Sequence, residues 1–128
     1  MRLNENLALE YAQHHIDINT VAPGAMNTRM LTDALQAGPR LIGNDEFQKA
    51  KMQQQTGGAS LERAAALCVY LASKASDGIT GRLISAVWDD WEHLHERKNM
   101  LADSDIFTLR RIIPQDRGLN WDPTKLQK

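Results

Sequence analysis

An α/β fold is the class this sequence predicts, with two parallel strands joined through helices and a helical C-terminal extension. Three observations carry that expectation. Ile16 to Ala22 alternates apolar and polar residues, as a half-buried strand does. Arg82 to Trp88 is a second strand with little polar alternation, which asks for cover on both faces. Between them, Leu61, Ala64, Ala65, Cys68, Leu71 and Ala72 recur at helical spacing. Strand, helix, strand in that order implies a parallel pair with a right-handed crossover.

The elements follow one another along the chain. Leu3, Leu7, Ala8, Tyr11 and Ala12 place a helix over residues 1–13. Pro23-Gly24 stops the first strand. Asn27 or Thr28 is the candidate cap of a helix carrying Met30, Leu31, Ala34 and Leu35, which Gly38-Pro39 ends. Residues 45–55 are polar, with Phe47 and Met52 as weak anchors, and read as a loosely packed helix broken at Thr56-Gly57-Gly58. Ser60 opens the strongest helix, and Asp77-Gly78 is a turn. Asp89-Asp90 starts a helix continued by Trp91, Leu94, Lys98 and Leu101. Ser104 is read as capping a further short helix through Ile112, ended by Pro114, before an irregular polar tail. Two strands alone leave open edges and uncovered faces, so the sequence reads as part of a larger sheet.

Composition narrows the function. The chain has 128 residues, 42% hydrophobic and 24% charged, which suits one folded domain and excludes intrinsic disorder. Fifteen basic residues against sixteen acidic ones give a net charge of −1. A sequence-independent nucleic-acid binder needs a basic excess to release counterions, so no nucleic-acid partner is expected. No run reaches the roughly 18 apolar residues of a membrane span, and the N-terminal residues do not form a secretory signal, so no membrane partner is expected. One cysteine allows no intrachain disulfide, which makes a reducing cytoplasm the expected location.

The residues also carry a family pattern. Glu5 to Ala12, then Ile16-Asp17-Ile18-Asn19-Thr20-Val21-Ala22-Pro23-Gly24-Ala25-Met26-Asn27-Thr28, resembles the C-terminal half of a short-chain dehydrogenase/reductase. So does Leu71-Ala72-Ser73 followed by Ile79-Thr80-Gly81-Arg82-Leu83-Ile84. The resemblance runs from Arg2 to about Trp88. It implies a partial Rossmann-like, doubly wound fold over residues 1–88, with a variable substrate lid at about 29–58. Residues 89–128 then form the helical extension beyond the common family core. It further implies NAD or NADP as cofactor and a carbonyl or alcohol as substrate. By the resemblance, Asn19 is structural and Pro23-Gly24 shapes the pocket floor. The Met26 backbone meets the nicotinamide carboxamide, and the Thr28 hydroxyl bonds the carboxamide or the diphosphate. Glycine at position 24 suits close backbone approach, and Thr28 near a helix N-terminus suits an anion.

The family's remaining machinery has no counterpart here. None of the eight glycines stands in the Gly-x-x-x-Gly-x-Gly spacing that holds the diphosphate. The catalytic tyrosine and lysine of the family precede the helix in which this chain begins. Tyr70 and Lys74 have the Tyr-x-x-x-Lys spacing, which on one helix would share a face, but they stand immediately before the last strand. No catalytic residue is therefore assigned. No metal site is assigned either, because His93 and His95 are two apart and point away from each other on a helix. Cys68, Trp88 and Trp91 are expected to be core residues.

The expectation is a truncated oxidoreductase that supplies the nicotinamide-side wall and the lid, inactive alone and without tight cofactor binding. The alternative is a non-catalytic interaction module that assembles with a full-length homologue or a separate N-terminal half. Either way a homo-oligomer or a complementing chain is the expected partner.

Overall fold

The structure is a computed structural model and describes residues 1–119. Its centre is a two-stranded parallel sheet: β1 (Thr20–Ala22) pairs with β2 (Leu83–Ser85) in the register Thr20–Leu83, Val21–Ile84, Ala22–Ser85. Both strands are shorter than their sequence patterns. The ladder loses its regularity before Thr20, where side chains take over. Asn19 donates from Nδ2 to the Ile79 carbonyl (2.6 Å) and accepts from the Arg82 amide (3.1 Å), clamping the turn that enters β2. That is a structural use of Asn19. After Ser85 the chain turns sharply, because the Asp89 carboxylate accepts the Ser85 amide at 2.6 Å.

The helices are α1 (Arg2–Tyr11), α2 (Arg29–Ala37), α3 (Pro39–Ile42), α4 (Asn44–Thr56), α5 (Leu61–Leu71) and α6 (Lys98–Ala102). Short 3-10 segments follow at Ala12–His14, Lys74–Ser76, Trp91–Arg97 and Pro114–Arg117. Ser60 caps α5 as its side chain accepts the Arg63 amide at 3.1 Å, which satisfies one of the helix's free donors. The turn of Pro39–Ile42 is not marked in the sequence pattern. Pro39 there opens a helix, the position where its missing N–H costs nothing.

The core lies around β2. Ala64 and Leu67 of α5 meet Ile79, Ile84, Ala86, Trp91, Leu94 and Leu101 in one buried cluster. Leu67 and Ile84 are completely enclosed. The segment after Asp89 is part of this core, since Trp91, Leu94 and Leu101 all contribute to it. Arg82 ties the same segment down, donating to the carbonyls of Leu101, Ser104 (2.9 Å) and Ile106 (2.7 Å).

Four expectations are corrected here. Cys68 is exposed, not core: α5 turns Ala64 and Leu67 inward and leaves Ala65, Cys68 and Val69 outside. The helix is apolar nearly all round, so its periodicity does not choose which face is buried. Trp88 is 85% exposed, whereas Trp91 is buried and donates its indole N–H to the Ala86 carbonyl. Residues 104–112 form no helix. Phe107 sits at φ 60° and its carbonyl accepts the Leu83 amide at 2.7 Å, so the edge of β2 recruits the chain into a turn. Finally, Pro114 begins a 3-10 turn and ends none. The predicted irregular tail lies beyond Leu119, outside the described residues except at its start. Among the described residues no helix is long and apolar enough to cross a membrane.

Candidate functional site

The C-terminal ends of parallel strands are where open α/β sheets bind ligands, because the loops there diverge and leave a crevice. Here the loop after β1 is Pro23 to Thr28, the segment singled out in the sequence. The structure brings these residues together with the turn after α4 and the segment after β2. Gly24 is the close-packing point. Its φ is +88°, and a Cβ there would stand 2.7 Å from Val87 Cγ2 and 2.8 Å from Ala59 Cβ. Only glycine meets both the backbone and the steric condition.

Gly58 makes the reciprocal contact from the other side. Its φ is +64°, and a Cβ would lie 2.6 Å from the Ala25 carbonyl oxygen. The Ala59 amide donates to that same carbonyl at 2.8 Å. Residues 24–27 are thus held between Val87 and the Gly58-Ala59 backbone. The sequence showed Gly57-Gly58 only as a helix breaker; their role in shaping the loop needed the fold.

Met26 is half-buried against the core cluster, and its carbonyl accepts the Gln53 side-chain amide at 3.0 Å. Nothing in the polar pattern of residues 45–55 marked Gln53. It is the side-chain link from α4 to the loop. Thr28 occupies the N-cap position of α2 with extended backbone, φ −107° and ψ 172°. Its side chain makes no capping hydrogen bond, contrary to the capping role read from sequence, although its carbonyl accepts from the Leu31 amide at 3.0 Å. The exposed hydroxyl stands at the positive end of a nine-residue helix, free to meet a polar ligand group. Pro23 is half-buried at the loop's start.

Met26 and Thr28 open into a cleft of about 440 Å³ between α2 and α4. That volume falls in the range of small-molecule sites. A larger cavity, about 750 Å³, lies on the far side between α1, the turn at 78–82 and residues 101–108. Its arginines are already engaged: Arg2 pairs with Glu5 at 2.6 Å, and Arg82 is spent on backbone carbonyls. The smaller cleft is the better candidate because it contains the loop at the strand ends.

Tyr70 and Lys74 do not form a catalytic pair. α5 ends at Leu71, and Lys74 belongs to the separate turn that Ser73 starts, so the two do not share a helix face. Tyr70 packs its ring on Trp91, with centroids 5.8 Å apart, and burial pushes its pKa up. A catalytic lysine would push it down. Among the described residues no cluster of three metal-ligating side chains occurs. His93 is instead bonded to Asp90 at 2.6 Å, and that bond raises the His93 pKa and lowers that of Asp90. Asp90 also pairs with Arg97 at 3.2 Å. These are surface ion pairs.

Fold and loop together define an α/β arrangement of the parallel-sheet class, with an open cleft beside the loop at the end of β1. Residues 2–86 match the family described as "Enoyl-(Acyl carrier protein) reductase". The chain belongs to the short-chain dehydrogenase/reductase family. It is 39% identical over 83 residues to "Dehydrogenase/reductase SDR family member 6" of Rattus norvegicus, covering 62% of this chain and 32% of that protein. The proteins of the same name from Danio rerio and Xenopus laevis are 34% and 35% identical, over 62% and 67% of this chain. The chain spans about a third of the length of these relatives, 32% and 36% of the last two. No solved structure matches it.

Proposed function

We propose that this chain forms the nicotinamide-side wall and the substrate lid of an NAD(P)-dependent oxidoreductase acting on a carbonyl or an alcohol. The observation that supports this most is the loop at 24–28. A glycine that tolerates no Cβ holds it at the strand ends, and Met26 and Thr28 of this loop line an open cleft. In this reading the doubly wound sheet continues beyond the two strands seen here. Pro23 and Gly24 form the pocket floor, Met26 and Thr28 take the carboxamide, and residues 29–58 cover the substrate.

The cofactor, when bound, supplies the hydride. This chain's part is to orient the ring and exclude water. It carries neither the family's glycine turn nor a tyrosine–lysine pair, so hydride transfer requires those groups from elsewhere, in the same polypeptide or in another. The 128-residue polypeptide by itself is inactive in this reading and holds the cofactor weakly.

Saturation-transfer NMR with NADH and NADPH tests the proposal, since weak binding suffices for it. Saturation from the protein is expected to reach the nicotinamide protons more strongly than the adenine protons, and to fall in Thr28→Ala. Stronger adenine signals, or none at all, would overturn it, as would nicotinamide turnover by the purified chain.

A second reading has its own observation. Leu9 of α1 is 79% exposed and Val69 of α5 is 71% exposed, on helices that flank the sheet. Such faces suit a complementing chain or a second copy. Sedimentation at increasing concentration tests this: a strict monomer at every concentration, alone and beside a full-length homologue, would contradict it.

A further inference from the structure

In a strand pair, alternate residues turn their amides away from the partner, and an outward amide is a template for another strand. On β2 the outward amides belong to Leu83 and Ser85, and both are taken. The Asp89 carboxylate accepts the Ser85 amide at 2.6 Å, and the Phe107 carbonyl accepts the Leu83 amide at 2.7 Å. The first cap is local. The second is carried back to the sheet by a strap of chain, residues 101–109.

Two buried charged side chains clamp that strap. Arg82 donates to the carbonyls of Leu101, Ser104 (2.9 Å) and Ile106 (2.7 Å), and Glu5 of α1 accepts the Leu109 amide at 2.5 Å. Between the clamps Phe107 packs against the core at φ 60°, a conformation that a bulky residue holds only where its surroundings enforce it. On its α1 side the strap borders the cavity of about 750 Å³. The strap is thus held by polar clamps and one ring, not by continuous packing.

We infer that residues 101–109 close the β2 edge in cis against a second copy of this chain, and that their release exposes a self-pairing site. A second copy is the occupant because the freed edge is complementary to itself. Across a two-fold axis the Leu83 residues of two copies stand opposite each other and exchange both N–H···O=C bonds in antiparallel register. Moving the strap also uncovers the apolar surface that Phe107 covers, which the second copy would bury. With the strap in place, the sheet of the described residues is open at β1 alone. None of this depends on the coenzyme reading.

Amide exchange and sedimentation equilibrium on the full chain test it. In the unaltered chain the Leu83 amide should exchange about as slowly as that of Ala86, which bonds the Ala22 carbonyl at 2.9 Å. Arg82→Met removes the donors of one clamp and keeps an apolar stem. In dilute solution it should speed exchange at Leu83 at least about tenfold more than at Ala86. At rising concentration it should give a species of twice the mass of the unaltered chain. Phe107→Ala leaves the buried arginine in place, so it decides the matter if Arg82→Met does not fold, and it should act in the same direction. Leu83→Pro, added to either variant, deletes the edge donor and should abolish the doubling. Doubling that survives Leu83→Pro would place the association elsewhere and overturn the inference. So would a Leu83 amide that opens without a change of mass, one that stays closed in every folded variant, or one that exchanges freely in the unaltered chain.

Discussion

The body of the molecule and the helical segment at 29–58, proposed above as a lid, are built on different principles. In the body, α5, β2 and the Trp91–Arg97 turn enclose Leu67, Ile84, Ala86 and Trp91 almost completely. In the lid, α2, α3 and α4 contribute one buried residue, Ala50. Met30, Leu41 and Met52 are each more than two thirds exposed or close to it, at 79%, 80% and 67%. The lid is held to the body mainly by short-range links: Gln53 to the Met26 carbonyl, and the Gly58-Ala59 backbone against Ala25. A region with few buried contacts opens at a lower free energy than the core. The difference teaches where precision is invested. The loop at 24–28 is fixed on the rigid body, and the surface that would cover a substrate is left able to move.

The largest expected effect is in the body. Leu67→Ala should destabilise the chain by about 2–5 kcal/mol, since it empties a completely enclosed position. Thermal unfolding followed by circular dichroism measures it. A loss no larger than that of an exposed leucine such as Leu61 would mean that the body is not one packed core. Gly24→Val comes next. It forces both a positive φ and two overlaps below 3 Å, at 2.7 and 2.8 Å, so it should distort the loop and abolish coenzyme contact. An unchanged saturation-transfer spectrum would show that the loop is dispensable.

Gln53→Ala sharpens the comparison. It should raise hydrogen exchange across α2 to α4 several-fold while the amides of α5 keep their protection. Equal acceleration in α5 would mean that lid and body unfold together.

The smallest effects are electrostatic. The Asp90 carboxylate raises the pKa of His93, so the pair's contribution is complete below the ordinary histidine pKa and disappears as pH rises through the raised value. Arg110 holds the Asp116 carboxyl down at about 2, bonding it at 2.7 Å. That contribution is complete above the ordinary carboxylate pKa and is lost as pH falls towards about 2. Both pairs are solvated, so NMR titration should detect these transitions with little change in melting temperature. Cys68 and Trp88 lie on the surface, so Cys68→Ser and Trp88→Ala should leave the melt nearly unchanged.

Much of this was legible in the residues. Ser60 marked the start of α5, Pro23-Gly24 the end of β1, and the order of elements the parallel pairing. The loop carrying Met26 and Thr28 was singled out by the family resemblance of the whole stretch from Ile16 to Thr28, since Pro23-Gly24 alone reads as a strand-ending turn. Gln53 was not found, because a glutamine in a polar helix looks like any solvated residue until a carbonyl arrives from 27 positions away. The turn at 105–108 was missed for a similar reason. Local signals favoured a helix, but the unpaired amide of Leu83 needed an acceptor and took the Phe107 carbonyl.

By itself, then, the sequence determined the period of each element, its caps and breakers, and the family to which the chain belongs. Those depend on neighbours a few positions apart. Only the tertiary structure decided the phase. On α5 it chose Leu67 over Cys68, and after β2 it chose Trp91 over Trp88. An all-round apolar helix or an aromatic pair has no preferred face until another surface is brought against it, and burial is a property of that meeting.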